Sequence, residues 1–155
     1  MIALRARNAA IESGKGVVAL EFLMVFPLIL AMVYGSAAYG VVFYQKYQLQ
    51  NAVDKAASSV MSLDRSQFDE GAAEQAVTRA TEALELLMSG LPESLVSRSG
   101  DRGCSVDSAG SVSLLECRVL ASGQESPFVP QLTFGFLGKF PPLPESIEVK
   151  SAVAF

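Results

Sequence analysis

The chain has 155 residues, half of them apolar, and a positive mean hydropathy, which accommodates one modest domain plus a membrane segment. Its net charge of −4, from 16 acidic and 12 basic side chains, lacks the basic footprint that a phosphate backbone requires, so no nucleic-acid partner is expected. Histidine is absent, which removes the commonest general base and the commonest metal ligand together; no catalytic residue, metal or cofactor is expected.

The first 16 residues are polar and basic, with Arg5, Arg7 and Lys15 offset only by Glu12. From Phe22 to Tyr44 the chain then runs 23 residues without a charge. As a helix rising 1.5 Å per residue this stretch reaches about 35 Å, enough to cross a hydrocarbon core of about 30 Å with some tilt. The basic residues lie before it and the next one, Lys46, lies after it, so the positive-inside bias predicts a cytoplasmic N-terminus and an outward C-terminal region. A secretory signal or a simple signal anchor is the plain alternative. Removal after the span is disfavoured, because Phe43-Tyr44-Gln45-Lys46 is bulky and polar rather than a small-residue cleavage site.

Glu21 is the anomaly, a carboxylate at the edge of the apolar run in Gly16-Val17-Val18-Ala19-Leu20-Glu21-Phe22. Such a group is expensive in lipid unless paired or neutralised, which makes it a functional candidate, although headgroup depth would also accommodate it. A basic leader, Gly16, four apolar residues and then Glu21-Phe22 together resemble the processing site of type IV prepilins. Within that superfamily GVVALEFLMVFPLILAMVYG, followed by YQLQNAVDKAASSV, is most similar to the TadE-like minor pseudopilins of the tight-adherence (Flp) pilus, with TadF a close alternative. The likeness covers roughly residues 14 to 60 and includes Pro27, six residues after the glutamate.

The resemblance implies a pilin-like fold and cleavage between Gly16 and Val17 by a prepilin peptidase at the cytoplasmic face. Glu21 and Phe22 would belong to the processing site, and Glu21 and Pro27 to assembly. It also implies, as partners, the major pilin, other minor pseudopilins, membrane lipid and the assembly platform of the bacterial inner membrane. The protein would be single-pass, with a periplasmic C-terminal region, and could enter the pilus. Cleavage would free an amine on Val17 that a neighbouring Glu21 can neutralise in an apolar bundle, where pairing is far stronger than at a wet surface. Pro27 kinks a helix or frees the carbonyl of Leu23, which a transmembrane helix absorbs. Gly35, Ser36, Ala37, Ala38 and Gly40 offer a small-residue face, with Ser36 and Gly40 as one small-xxx-small pair; lipid contact alone would also suit them.

Beyond the span, Leu49, Val53, Ala56, Val60 and Leu63 recur at spacings of 4, 3, 4 and 3, while Asn51, Asp54, Lys55 and Ser58 fall elsewhere. That predicts one amphipathic helix from about Val17 to Leu63, unless a bend near Gln45 divides it. Ser66-Gln67-Phe68-Asp69 resembles a helix cap. Ala73, Ala76, Val77, Ala80, Ala83, Leu84, Leu87 and Met88 then form a second stripe, ended by Gly90 and Pro92. Glu70, Glu74, Glu82 and Glu85 read as its solvated face.

From Leu91 the chain turns to Ser, Gly and Pro with short β-type runs. Two short strands are expected around Ala109-Gly110, carrying Cys104 and Cys117, with Cys117 to Leu120 extending the second. In an outward, oxidising compartment these two form a structural disulfide closing about a 14-residue loop around a β region with little core of its own. Free thiols or a redox pair are the alternatives, although the spacing is unlike CxxC and two cysteines without histidine make a poor zinc site. Residues 128 to 140 place Leu132, Phe134 and Phe136 on one face, and Phe128, Phe134, Phe136 and Phe140 read as a core cluster. Residues 147 to 155 close the chain as a last strand in an antiparallel sheet, with Phe155 in its apolar end.

The expected organisation is therefore α+β: a leader at 1–16, a transmembrane helix at 17–44, its amphipathic continuation at 45–64, a second helix at 65–90 and an outward antiparallel β-rich region at 91–155. Two functions fit. One is a minor pseudopilin supporting pilus assembly; the other is a single-pass membrane-anchored periplasmic binding domain that keeps its leader.

Overall fold

The computed structural model describes residues 3–62, 71–109, 112–124, 127–135 and 138–154, with the side chains of 3–16 and of 108, 109, 112 and 134 left aside. The chain divides into two compact units, Met1–Tyr39 and Gly40–Phe155. Helix α1, Ala3–Ser58, supplies the described part of the first unit and enters the second without interruption. It passes through Pro27 and Gln45 as regular helix, so no bend at Gln45 divides it. The predicted helix thus starts earlier than Val17, and it closes in a short 3₁₀ turn, Ser59–Ser62, as helix ends often do. Leu63, the cap-like Ser66 to Asp69 and Glu70 lie outside the described residues.

In the second unit α1 buries Leu49, Val53 and Ala56, its closing 3₁₀ turn buries Val60, and Asn51, Asp54, Lys55 and Ser58 are exposed, as the spacing demands. Helix α2, Ala72–Ser89, buries Ala76, Ala80, Leu84 and Met88. Ala73 belongs to the predicted stripe but is exposed, one position into the helix where the first turn has not yet reached the core. Gly90 ends α2, its N–H donating to the Leu87 carbonyl and the Leu91 N–H to that of Met88, and a four-residue helix, α3 (Glu93–Val96), follows Pro92 and seats Leu95 in the core.

Strands β1 (Asp101–Ala109), β2 (Val112–Ser122) and β5 (Ser146–Ala154) form an antiparallel sheet in the order β1-β2-β5. β1 and β2 are nine and eleven residues long; β1 begins before Cys104 and β2 runs two residues past Leu120. Their register runs without a slip from Asp101 opposite Leu120 to Ala109 opposite Val112; the connecting Gly110 and Ser111 lie outside the described residues. Leu115, Cys117, Val119 and Ala121 of β2 and Ile147 and Val149 of β5 turn inward, joining Leu49, Val53 and Ala56 of α1 and Leu84 and Met88 of α2 in one cluster. The helices therefore supply the core that the β region was expected to lack.

Residues 128–140 behave differently from the expected single run. β3 (Leu132–Phe134) and β4 (Gly138–Phe140) pair only with each other. Gly135 at φ 35° and Gly138 at φ 79° take left-handed backbone, which breaks the strand into a hairpin. Phe128 is buried in the core, Phe140 is half-buried and Leu132 is exposed. Phe136, Phe155 and the side chain of Phe134 lie outside the description.

Candidate processing and assembly site

Every described residue from Val17 to Val33 is exposed, and none of the most apolar stretch of α1 is buried within the chain. Phe22, Leu23 and Met24 stand 65%, 72% and 76% exposed. An apolar surface this continuous, on a helix long enough to cross a bilayer, is compatible with a single-pass membrane anchor. The backbone at Gly16 is helical and continues unbroken into Val17.

Glu21 lies exposed in this surface, one helical turn beyond Val17 and hence on the same side of the helix. Phe22 stacks on Phe26 with ring centroids 5.5 Å apart, which stiffens the turn between Glu21 and Pro27. Along the small-residue run Gly35 and Ala38 are buried, whereas Ser36, Ala37 and Gly40 face outward. Ser36 returns its hydroxyl to the Val33 carbonyl at 2.9 Å, and a Cβ on Gly40 would meet nothing within 4 Å. The Ser36/Gly40 pair is therefore the part of the run open to a neighbouring helix.

Residues 16–58 match the family model of TadE-like proteins. The TadE-like segment covers about a quarter of the chain, starts at Gly16 and takes in Glu21, Phe22, Pro27, the whole uncharged run and the buried stripe of α1 as far as Ser58. It relates the chain to Tad pilus proteins with an N-terminal membrane-anchor helix, a family not known for enzymatic activity. No curated protein and no solved structure gives a significant match.

Outside the TadE-like segment, Cys104 and Cys117 face each other in the β1–β2 register and are joined by a disulfide. Cys117 is fully buried, so the bond lies on the inward face of the sheet, against the helices. Among the described residues no group of three or more His, Cys, Asp or Glu side chains is placed to hold a metal.

Of the carboxylates read as a solvated face, Glu74 and Glu82 are exposed, but Glu85 accepts two hydrogen bonds from Arg102 of β1, at 2.9 and 3.0 Å. That bidentate pair ties α2 to the sheet edge; with Glu85 more than half exposed, its contribution is at most about 1 kcal/mol. A half-open cleft of about 580 Å3 lies where β2 ends and β5 begins, floored by Phe128 and lined by Gln131, Lys139, Leu143 and Glu145 among others. Phe43 and Tyr44, expected only to make a poor cleavage site, and Tyr47, which opens the stretch YQLQNAVDKAASSV, all stand exposed. The available signal was three aromatics straddling Lys46, the first charge after the span.

Proposed function

We propose that this chain is a minor pseudopilin supporting assembly of a tight-adherence pilus, matured by a prepilin peptidase that cuts between Gly16 and Val17. The observation that carries the reading is the coincidence of the TadE-like match with the device itself: it begins at Gly16 and spans Glu21, Pro27 and the exposed apolar helix. In this reading the basic leader stays cytoplasmic and residues 17–44 lie in the inner membrane. The folded unit faces the periplasm, where its disulfide is stable.

Glu21 has a chemical task here. Once Val17 carries a free amine, the carboxylate of one subunit pairs with the amine of the next inside an apolar bundle, fixing subunits in axial register. The outward-facing Ser36/Gly40 pair gives a neighbouring helix room to approach. The partners are the peptidase, the major pilin, other minor pseudopilins and the inner-membrane assembly platform; no catalytic residue or cofactor takes part.

The second reading is an anchored periplasmic binding domain that keeps its leader and uses the cleft over Phe128, whose size lies within the range of small-ligand sites. Intact-mass measurement of the protein from its own host separates the two. Mature protein beginning at Val17 supports the pseudopilin, and retention of residues 1–16 in cells with an active prepilin peptidase rejects it.

A further inference from the structure

The second compact unit begins at Gly40, while the uncharged run continues to Tyr44, so the folded unit and the apolar span share the helical turns after Gly40. On these turns the two sides of α1 have different surroundings. Val42 (6% exposed) and Leu49 (fully buried) belong to the folded core. Phe43, Tyr44 and Tyr47 are 66%, 62% and 68% exposed. Residues 43 and 47 are four apart and 44 and 47 three apart, so the aromatics form one face rather than a scatter. Lys46, also exposed, stands among them.

Depth along the helix says what covers that face. A hydrocarbon core of about 30 Å takes about 20 residues at 1.5 Å each; counted from Phe22, just past Glu21, it ends near Val41. Phe43, Tyr44 and Tyr47 then fall within the next turn and a half, the headgroup layer. There an aromatic ring with a polar tip is favoured over both water and hydrocarbon, and a lysine extends its ammonium to lipid phosphate.

We infer that Phe43, Tyr44, Lys46 and Tyr47 form an interfacial anchor that sits among the lipid headgroups of the leaflet at the C-terminal end of the span. The inference rests on the single-pass reading above. Any step that draws the subunit out of the membrane must break this contact.

The chain has no tryptophan, so single-tryptophan variants report one position each. Tyr44→Trp, Tyr47→Trp and, as a marker of the span, Phe26→Trp are made in the full chain. Each is reconstituted in phosphatidylcholine/phosphatidylglycerol vesicles carrying a quencher at the headgroup end or at the far end of the acyl chain. For positions 44 and 47 the headgroup-end quencher is expected to remove more emission than the deep one; for position 26 the order reverses. A position 26 that no lipid quencher reaches removes the span and the inference together. With position 26 deep, emission from 44 or 47 that is water-exposed, quenched chiefly from the bilayer centre, or shielded from both lipid and water overturns the anchor alone.

Discussion

On the pseudopilin reading proposed above, single changes at Glu21 and the residues on either side of it separate membrane insertion from assembly. Its carboxylate lies one turn past Val17 on an otherwise apolar, exposed surface, and nothing in the fold of the second unit depends on it. Glu21→Ala makes the span more apolar, so the variant is expected to insert normally, shown by membrane fractionation, while pilus yield falls to background. Normal piliation would remove the role given to this carboxylate. Gly16→Phe places a large side chain at the cut and leaves the span untouched; the expected product is membrane-bound protein that keeps its leader by intact mass. Gly123 is a residue of another kind. A Cβ there would lie 2.8 Å from Cε2 of Phe128 and 3.3 Å from the Glu145 carbonyl, and Phe128 is held in the core with the Arg98 guanidinium 5.5 Å from its ring centroid. Gly123→Ala must push the ring or the backbone, costing about 1–3 kcal/mol as overpacking does, read as a lower melting temperature of the full chain in detergent.

Among the elements, the helices were the most legible in the sequence. A 3.6-residue period over many turns overdetermines which face is buried, so Leu49, Val53, Ala56 and Val60 and then Ala76, Ala80, Leu84 and Met88 all lie where their spacing puts them. The β region was harder. Its strands contain Ser, Gly and Asp rather than a clean alternation, and β1 and β2 owe their length to a partner each and to the helices beneath them, which no local pattern encodes. The hairpin of β3 and β4 was missed because Gly135 and Gly138 look like ordinary interruptions in an aromatic run until their backbone angles are known. The cysteine pair was readable, since two cysteines allow one bridge, but its burial was not. Replacing both, as Cys104→Ala with Cys117→Ala, frees a loop of about 14 residues in the unfolded chain and is expected to cost about 3 kcal/mol, with the sheet retained by circular dichroism. An unchanged denaturation midpoint would mean that the hairpin register already restricts the unfolded chain as much as the bridge does.

For the molecule as a whole, the decisive fact is that one helix serves two environments. Within the folded unit, Val42, Leu49, Ala52, Val53, Ala56, Ala57 and Val60 line the core shared with α2 and the sheet, so the unit cannot be separated from the C-terminal half of α1. Leu49, Val53 and Val60 are each at most 2% exposed. Each buried side chain of this size contributes roughly 1.5–3 kcal/mol, so together they match or exceed much of the net stability of about 5–15 kcal/mol available to a small domain. Two fragments test this. Residues 40–155 retain every buried residue of the unit and are expected to fold in dilute aqueous solution with the disulfide closed, giving a single cooperative thermal transition. Residues 64–155 keep α2, the sheet and the disulfide but lose that wall, exposing Leu84, Met88, Leu115 and Val119; this fragment is expected to show no cooperative transition and to aggregate. If residues 64–155 folded cooperatively, α1 would be only a membrane anchor attached to an independent domain. If residues 40–155 failed to fold, the turns before Gly40, or the lipid around them, would belong to the folding unit itself.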